Sequence, residues 1–183
     1  MNKLTIVIPV YNEGENIAQA IWKIENDVQS KHIINVIYDF AEDTSIPVVE
    51  KEKTKYKTPI NLIKNKYGRG VLNAIKTGFE TAQTEYVIVT MADLSDPPIV
   101  MNTMLQISEE KRADIVCASR YMKGGKQVGG PLLKGLMSKY AGLSLYYIAK
   151  LPTHDATNSF KLYKTSFLKK QKIESTGGFE LGI

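Results

Sequence analysis

The sequence predicts an α/β protein with a mostly parallel sheet and helices on both of its faces. Three observations lead there. Short apolar, β-branched runs recur along the first two-thirds of the chain, helix-like stretches alternate with them, and the polar motifs fall where the apolar runs end. A parallel sheet of this kind binds ligands beyond the carboxyl ends of its strands.

The runs Leu4–Val10, Ile33–Phe40, Ile60–Ile63, Tyr86–Met91 and Asp114–Ser119 read as buried strands. Helix-like stretches lie between them at Glu15–Gln29, Ile46–Tyr56, Arg69–Ala82 and Pro98–Lys111. A flexible stretch containing Gly124-Gly125 and Gly129-Gly130-Pro131 follows, then a long helical pattern from Leu132 to about Lys150 and a last strand-like run over Thr157–Tyr163. No repeat, low-complexity tract or linker interrupts the chain, so residues 1–183 are expected to be one domain, and the stop at Gly182-Ile183 is expected to be a truncation.

At 183 residues, 43% apolar and 23% charged, the composition excludes disordered and fibrous classes. Cys117 is the one cysteine and lies in the apolar run Asp114–Ala118, so no disulfide framework exists; a reduced compartment fits, with Cys117 as a small core residue. Met1-Asn2-Lys3 leads straight to a strand that meets Pro9 and Glu13, a pattern expected of neither a signal peptide nor a membrane span. The net charge of +5 is unevenly spread. Residues 1–119 carry 13 Lys and Arg against 16 Asp and Glu, whereas residues 120–172 carry 11 against Asp155 alone. The basic part suits phosphate groups or an anionic membrane surface, with a solvated lysine-rich face as the plainer reading. Nucleic acid is not expected, because no arginines and aromatics interleave there as in a known binding module.

Four motifs carry candidate chemistry. In Pro9-Val10-Tyr11-Asn12-Glu13, a carboxylate can accept hydrogen bonds from a base edge and Tyr11 can stack on it; the same residues also read as a strand stop with Asn12 as a helix cap. Asp39, inside an apolar run, needs a hydrogen-bond donor such as a ribose or a base, while Asp43-Thr44-Ser45 reads as turn and cap chemistry. In Asn65-Lys66-Tyr67-Gly68-Arg69-Gly70, two glycines allow close backbone approach and Arg69 can meet a phosphate at the start of a helix. In Thr90-Met91-Ala92-Asp93-Leu94-Ser95-Asp96-Pro97-Pro98, carboxylates at the exit of a buried strand can hold a hard divalent cation against a diphosphate, or else form a solvated turn.

The four motifs, in this order, resemble glycosyltransferase family 2, and Ala92–Pro98 is close to the "DADLSHPP" form of its polyprenyl-phosphate sugar synthases. The resemblance continues through Ala118–Gly125, through Asp155–Tyr163, which is similar to "D-x-T-S-G-F-R-x-Y", and to Gly178-Phe179-Glu180. It implies the GT-A fold, a Rossmann-like sheet, with residues 1–119 as a nucleotide-sugar half and 120–183 as a basic acceptor half. It also implies that Pro9, Tyr11, Glu13 and Asp39 hold the nucleoside, with Arg69 and Ala92 beside the nucleotide. Asp93 and Ser95, with Asp96 as a further candidate, would hold Mg2+ or Mn2+. Arg120, Lys134 and Ser138 would meet the phosphate of a lipid acceptor, making Asp93, Arg120 and Lys134 the residues that carry the reaction. Met91 and Tyr38 depart from the pattern at positions usually acidic, and Lys134 replaces an arginine, keeping charge but losing the bidentate fork.

The implied reaction is inverting transfer of a sugar from a nucleoside-diphosphate sugar to a polyprenyl phosphate. Alternatives are a saccharide acceptor, for which Asp96 and Asp155 are candidate bases, or a degenerate module that binds nucleotide sugars without turnover. A nucleotidyltransferase is disfavoured by the lack of a Gly-rich, Arg-containing loop after the first strand. Leu132, Leu133, Leu136, Met137, Tyr140, Leu143 and Tyr147 fall at helical spacing beside Lys134, Lys139 and Lys150. That stripe fits either a peripheral membrane contact or packing against the sheet or a C-terminal element, and the expected location is cytoplasmic, at the inner face of a membrane.

Overall fold

The computed structural model describes residues 1–122, 124–125, 140, 142–148, 150–151, 153, 155 and 158–171. Its elements in chain order are β1 (Leu4–Val10), α1 (Ile17–Asp27), β2 (His32–Tyr38), α2 (Ser45–Glu52), β3 (Ile60–Lys64), α3 (Val71–Thr81), β4 (Tyr86–Val89), α4 (Val100–Lys111), β5 (Ile115–Cys117), α5 (helical residues 142–147), β6 (Lys161–Lys164) and α6 (Thr165–Leu168). The six strands form one sheet in the order β3-β2-β1-β4-β6-β5. β1 pairs in parallel with β2 and β4, and β2 with β3; β6 runs antiparallel between β4 and β5.

Alternation along β1 sorts the core into two layers. Leu4, Ile6, Ile8 and Val10 join a cluster with Ile17, Ile21 and Ile24 of α1, Val49 of α2 and Met101, Met104 and Leu105 of α4. Val7, on the opposite face, joins Val87 and Val89 of β4 with Ala74, Ile75 and Phe79 of α3. The buried positions of α1, Ile17, Ala20, Ile21 and Ile24, have the spacing of one helical face. Each large apolar side chain buried this way contributes about 1.5–3 kcal/mol.

Several elements are shorter than the sequence predicts. β4 ends at Val89 rather than Met91, although the N–H of Thr90 still donates to the carbonyl of Val7 at 3.0 Å. Of the expected strand over Thr157–Tyr163, Asn158 instead accepts from the N–H of Phe160 through its own side chain, at 3.2 Å, and pairing starts only at Lys161. α1 starts at Ile17 with Asn16 at its cap position, not at Asn12, which adopts φ +57°. In the expected helix Leu132–Lys150, residues 142–147 are helical, while Leu132, Leu133, Leu136 and Met137 lie outside the described residues. Tyr140 and Tyr147 are exposed, and no described helix is long and apolar enough to cross a membrane.

α3 seats on the sheet through Gly78, where a Cβ would lie 2.3 Å from Cγ1 of the buried Val7. Helix propensity alone favours Gly78→Ala by about 1 kcal/mol, but overpacking costs about 1–3 kcal/mol. The substitution is therefore expected to destabilise the protein by up to about 2 kcal/mol in urea denaturation, and a stabilised variant would show that α3 does not sit this close to β1.

Candidate functional site

The strand order reverses at β1. After β1 the chain builds β2 and β3 on one side, then crosses to lay β4 on the other. The segments leaving the carboxyl ends of β1 and β4 therefore diverge and leave a crevice at this switch point. Pro9–Glu13 leaves β1 there and Met91–Asp96 leaves β4, so two of the four sequence motifs flank the same crevice.

The loops on the β1 side are tied together by backbone donors. The N–H groups of Asn12 and Glu13 donate to Asp43 Oδ2 at 3.1 Å and to Ser45 Oγ at 2.9 Å, and the side chain of Asn12 accepts from the N–H of Thr44 at 3.2 Å. Asp43 is buried and also accepts from the N–H of Ser45 at 2.8 Å, which makes it the turn residue expected from sequence. Glu13 is half-buried and accepts from Asn16 Nδ2 at 2.8 Å. Pro9 is buried, whereas Tyr11 is 62% exposed, with its ring edge-on to Phe40 at 5.5 Å. The guanidinium carbon of Arg69 lies 5.0 Å from the centre of the same Phe40 ring. Arg69, expected to meet a phosphate, thus stands over an aromatic ring, Phe40, for which no sequence motif predicts a role.

Asp39 has two donors within the protein: Asn65 Nδ2 donates to Oδ1 at 2.7 Å and the N–H of Gly70 to Oδ2 at 2.9 Å. Asn65 is buried and also donates to the carbonyl of Gly68 at 2.7 Å, while its oxygen accepts from the N–H of Tyr67 and from Thr77 Oγ1, at 3.1 and 3.0 Å. Gly68 and Gly70, at φ +86° and +123°, supply the left-handed backbone this loop requires. A carboxylate has about four acceptor positions, so Asp39 keeps capacity for a ligand hydroxyl after these two bonds. Tyr38, which replaces an acidic residue of the family pattern, packs half-buried against the α1 and α2 layer.

On the β4 side, Ala92 is buried and Asp93 and Ser95 are exposed; the N–H of Ser95 donates to Asp93 Oδ1 at 2.9 Å in a turn that holds Leu94 at φ +59°. Asp96 is buried, and its carboxyl is pushed up to about 6 by burial and then by the charge of Asp93, against the pull of a Met91 N–H and the charge of Arg120. Two carboxylates that repel each other at a strand exit are a donor set a hard cation suits. Met91 is half-buried, and its thioether is a poor ligand for such an ion. Among the described residues no group of three or more His, Cys, Asp or Glu gathers, so a cation here would have two protein carboxylates and would complete its shell with the Ser95 hydroxyl, phosphate oxygens and water.

Arg120, just beyond β5, is bound to Asp155, whose side chain is fully buried: Nε donates to Oδ2 at 2.9 Å and Nη2 to Oδ1 at 2.7 Å. Asp155, a candidate base in the sequence reading, is thus held by a cation and is not placed to take a proton from a hydroxyl. Lys134 and Ser138 lie outside the described residues. Cys117 is half-buried and pairs across the sheet with Lys161, a buried lysine that burial pushes below its ordinary range.

Removing Asn65 would strip the loop of four hydrogen bonds and leave buried groups without partners. Asn65→Ala is expected to cost about 3 kcal/mol in denaturant unfolding; a loss below about 0.5 kcal/mol, the range of surface substitutions, would mean this network does not hold the loop.

Comparison with known proteins fits this architecture. The glycosyl transferase family 2 model matches residues 5–171. The chain is 32% identical over 140 residues to the dolichol-phosphate mannosyltransferase of Pyrococcus furiosus, covering 76% of this chain and 39% of that protein. It is 24% identical over 168 residues to the polyprenol monophosphomannose synthase of Mycolicibacterium smegmatis, covering 90% of this chain and 63% of that protein. It therefore spans less than two-thirds of the length of either relative. A mannosyltransferase from Pyrobaculum calidifontis, solved in complex with GDP-Man and Mn2+, superposes with a TM-score of 0.64 at 16% identity, over 92% of this chain and 46% of that one. The likeness bears out the GT-A fold that the motifs imply. With the family model matched along nearly its whole length, the chain belongs to glycosyl transferase family 2.

Proposed function

We propose that this chain is the catalytic part of an inverting glycosyltransferase that moves a sugar from a nucleoside-diphosphate sugar to a polyprenyl phosphate. The observation that carries the reading is the placement of Asp93 and Asp96 at the strand switch point, with the Arg120 charge reaching Asp96 from the basic half. The relatives named for transfer to dolichol and polyprenol phosphates support the acceptor class. In this reading Pro9, Tyr11, Glu13 and Asp39 hold the nucleoside, with Phe40 and Arg69 adding a flat surface beside it. Asp93, Ser95 and Asp96 hold a divalent cation, Mg2+ or Mn2+, which supplies positive charge against the diphosphate.

The acceptor phosphate is anionic at neutral pH, so its oxygen needs no strong general base. That oxygen forms a bond to the anomeric carbon as the bond to the diphosphate oxygen breaks, the electron pair leaves on the nucleoside diphosphate, and the configuration inverts. The chain contributes position and charge. Arg120 provides one cation for the acceptor side, with Lys134 and Ser138 proposed alongside it, and residues 120–183 form the acceptor half of the single domain. Peripheral contact with the inner, cytoplasmic face of a membrane belongs to the same reading, supported by the exposure of Tyr140 and Tyr147.

Met91 favours one second reading, a module that binds nucleotide sugars without turnover, because it removes a carboxylate from the cation site. Unit charges about 4 Å apart interact by roughly 4 kcal/mol at an effective dielectric of 20, so one carboxylate matters. Incubation of the protein with labelled UDP- or GDP-sugars, Mn2+ and a short polyprenyl phosphate is expected to move label into the organic phase. Asp93→Ala and chelation with EDTA should each cut this transfer at least 100-fold, and Met91→Asp should tighten Mn2+ binding in the presence of nucleotide by about tenfold, or about 1.4 kcal/mol. Binding without transfer to any acceptor would favour the module, and transfer only to saccharides would replace the lipid acceptor.

A further inference from the structure

Three donors of Arg120 converge on the Asp155 carboxylate. Besides the two bonds from the guanidinium, the backbone N–H of Arg120 donates to Asp155 Oδ2 at 3.0 Å, so a single side chain fixes both ends of Arg120. The frame around this contact is equally determined. The N–H of Asn158 donates to the carbonyl of Asp155 and its Nδ2 donates to the carbonyl of Ala118, both at 3.2 Å, and the N–H of Ala118 donates to the carbonyl of Phe160 at 3.1 Å. Gly125 closes the other side, where a Cβ would lie 2.6 Å from the carbonyl oxygens of Ser119 and Arg120. The buried Lys161 is a second cation whose charge reaches Asp155.

A carboxylate with no exposed surface, chelating one arginine from three directions, costs more in desolvation than a surface contact would, and stability alone is a weak reason for it. Its geometric consequence is specific. With Nε and Nη2 turned to Asp155, the Nη1 side of the guanidinium faces away from it, and the Arg120 charge is held within reach of Asp96 in the loop after β4. We propose that Asp155 is a positioning residue for transfer: it orients Arg120 so that the acceptor phosphate is held opposite the Asp93 and Asp96 loop. This rests on the functional reading above, but it concerns a residue to which that reading gives no part.

The test is a double-mutant cycle on the transfer reaction, with nucleotide binding as an internal control. Asp155→Asn is expected to lower kcat/KM for the polyprenyl phosphate by about 10- to 100-fold, the scale of a misplaced reacting group. The Kd of the nucleoside diphosphate with Mn2+ should stay within about twofold. Asp155→Glu, which keeps the charge, should recover part of the loss. In an Arg120→Gln background, Asp155→Asn should cost nothing further, because Asp155 acts through Arg120. Should Asp155→Asn melt below the assay temperature, Asp155→Glu carries the same test: it keeps the pair charged while displacing the guanidinium, and is expected to lower kcat/KM with the nucleotide Kd unchanged. Unchanged kinetics in folded Asp155→Asn, losses that multiply in the double variant, or an equal loss of nucleotide affinity would each overturn the positioning role while leaving the transfer activity in place. Absence of transfer by the unsubstituted protein to any acceptor would instead remove the functional reading and this role with it.

Discussion

Everything chemical in this protein depends on the reversal of strand order at β1. A parallel sheet that added strands in one direction only would leave no gap at its carboxyl edge; here β2 and β4 flank β1 and the loops above them part. The apolar layers on the two faces of β1 make that reversal stable, since Leu4, Ile6, Ile8 and Val10 bind one set of helices and Val7 binds α3. The loops then inherit a fixed opening rather than creating one.

Polar groups set the shape of that opening. On the β1 side, Asp43, Asp39 and Asn65 collect backbone N–H groups from three successive loops, so the carboxylates of Asp39 and Asp43 are already hydrogen-bonded. On the β4 side the balance is opposite: Asp93 and Asp96 face each other's charge, and Asp96 is pushed up to about 6, first by burial. One side of the crevice is electrostatically settled and the other is left with excess negative charge. That asymmetry suits a ligand whose neutral portion sits by β1 and whose diphosphate is bridged to β4 by a cation.

The sheet and most of its helices were legible in the sequence because β-branched runs of four to eight residues alternate with amphipathic stretches, as in β1 and α1. The motifs were legible because they stand at strand ends. Less legible was anything that depends on partners distant in sequence. Asp39 in an apolar run signalled a need for donors, but sequence cannot say that Asn65, 26 residues later, is one of them. Arg120 and Asp155 were each noted, yet a pairing across 35 residues with β6 interposed between β4 and β5 is visible only once the sheet is assembled. The antiparallel direction of β6 was likewise hidden, since its composition is that of any buried strand.

The proposed reaction requires a cation and a diphosphate to meet at the exit of β4. Crystals grown with Mn2+ and either GDP or UDP, measured at the manganese edge, test this most directly. One anomalous peak should appear between a diphosphate and the carboxylates of Asp93 and Asp96, with the base lying beside Tyr11 and Phe40. A nucleotide bound elsewhere, or one seated in the crevice with Asp93 turned away and no manganese beside it, would contradict the account.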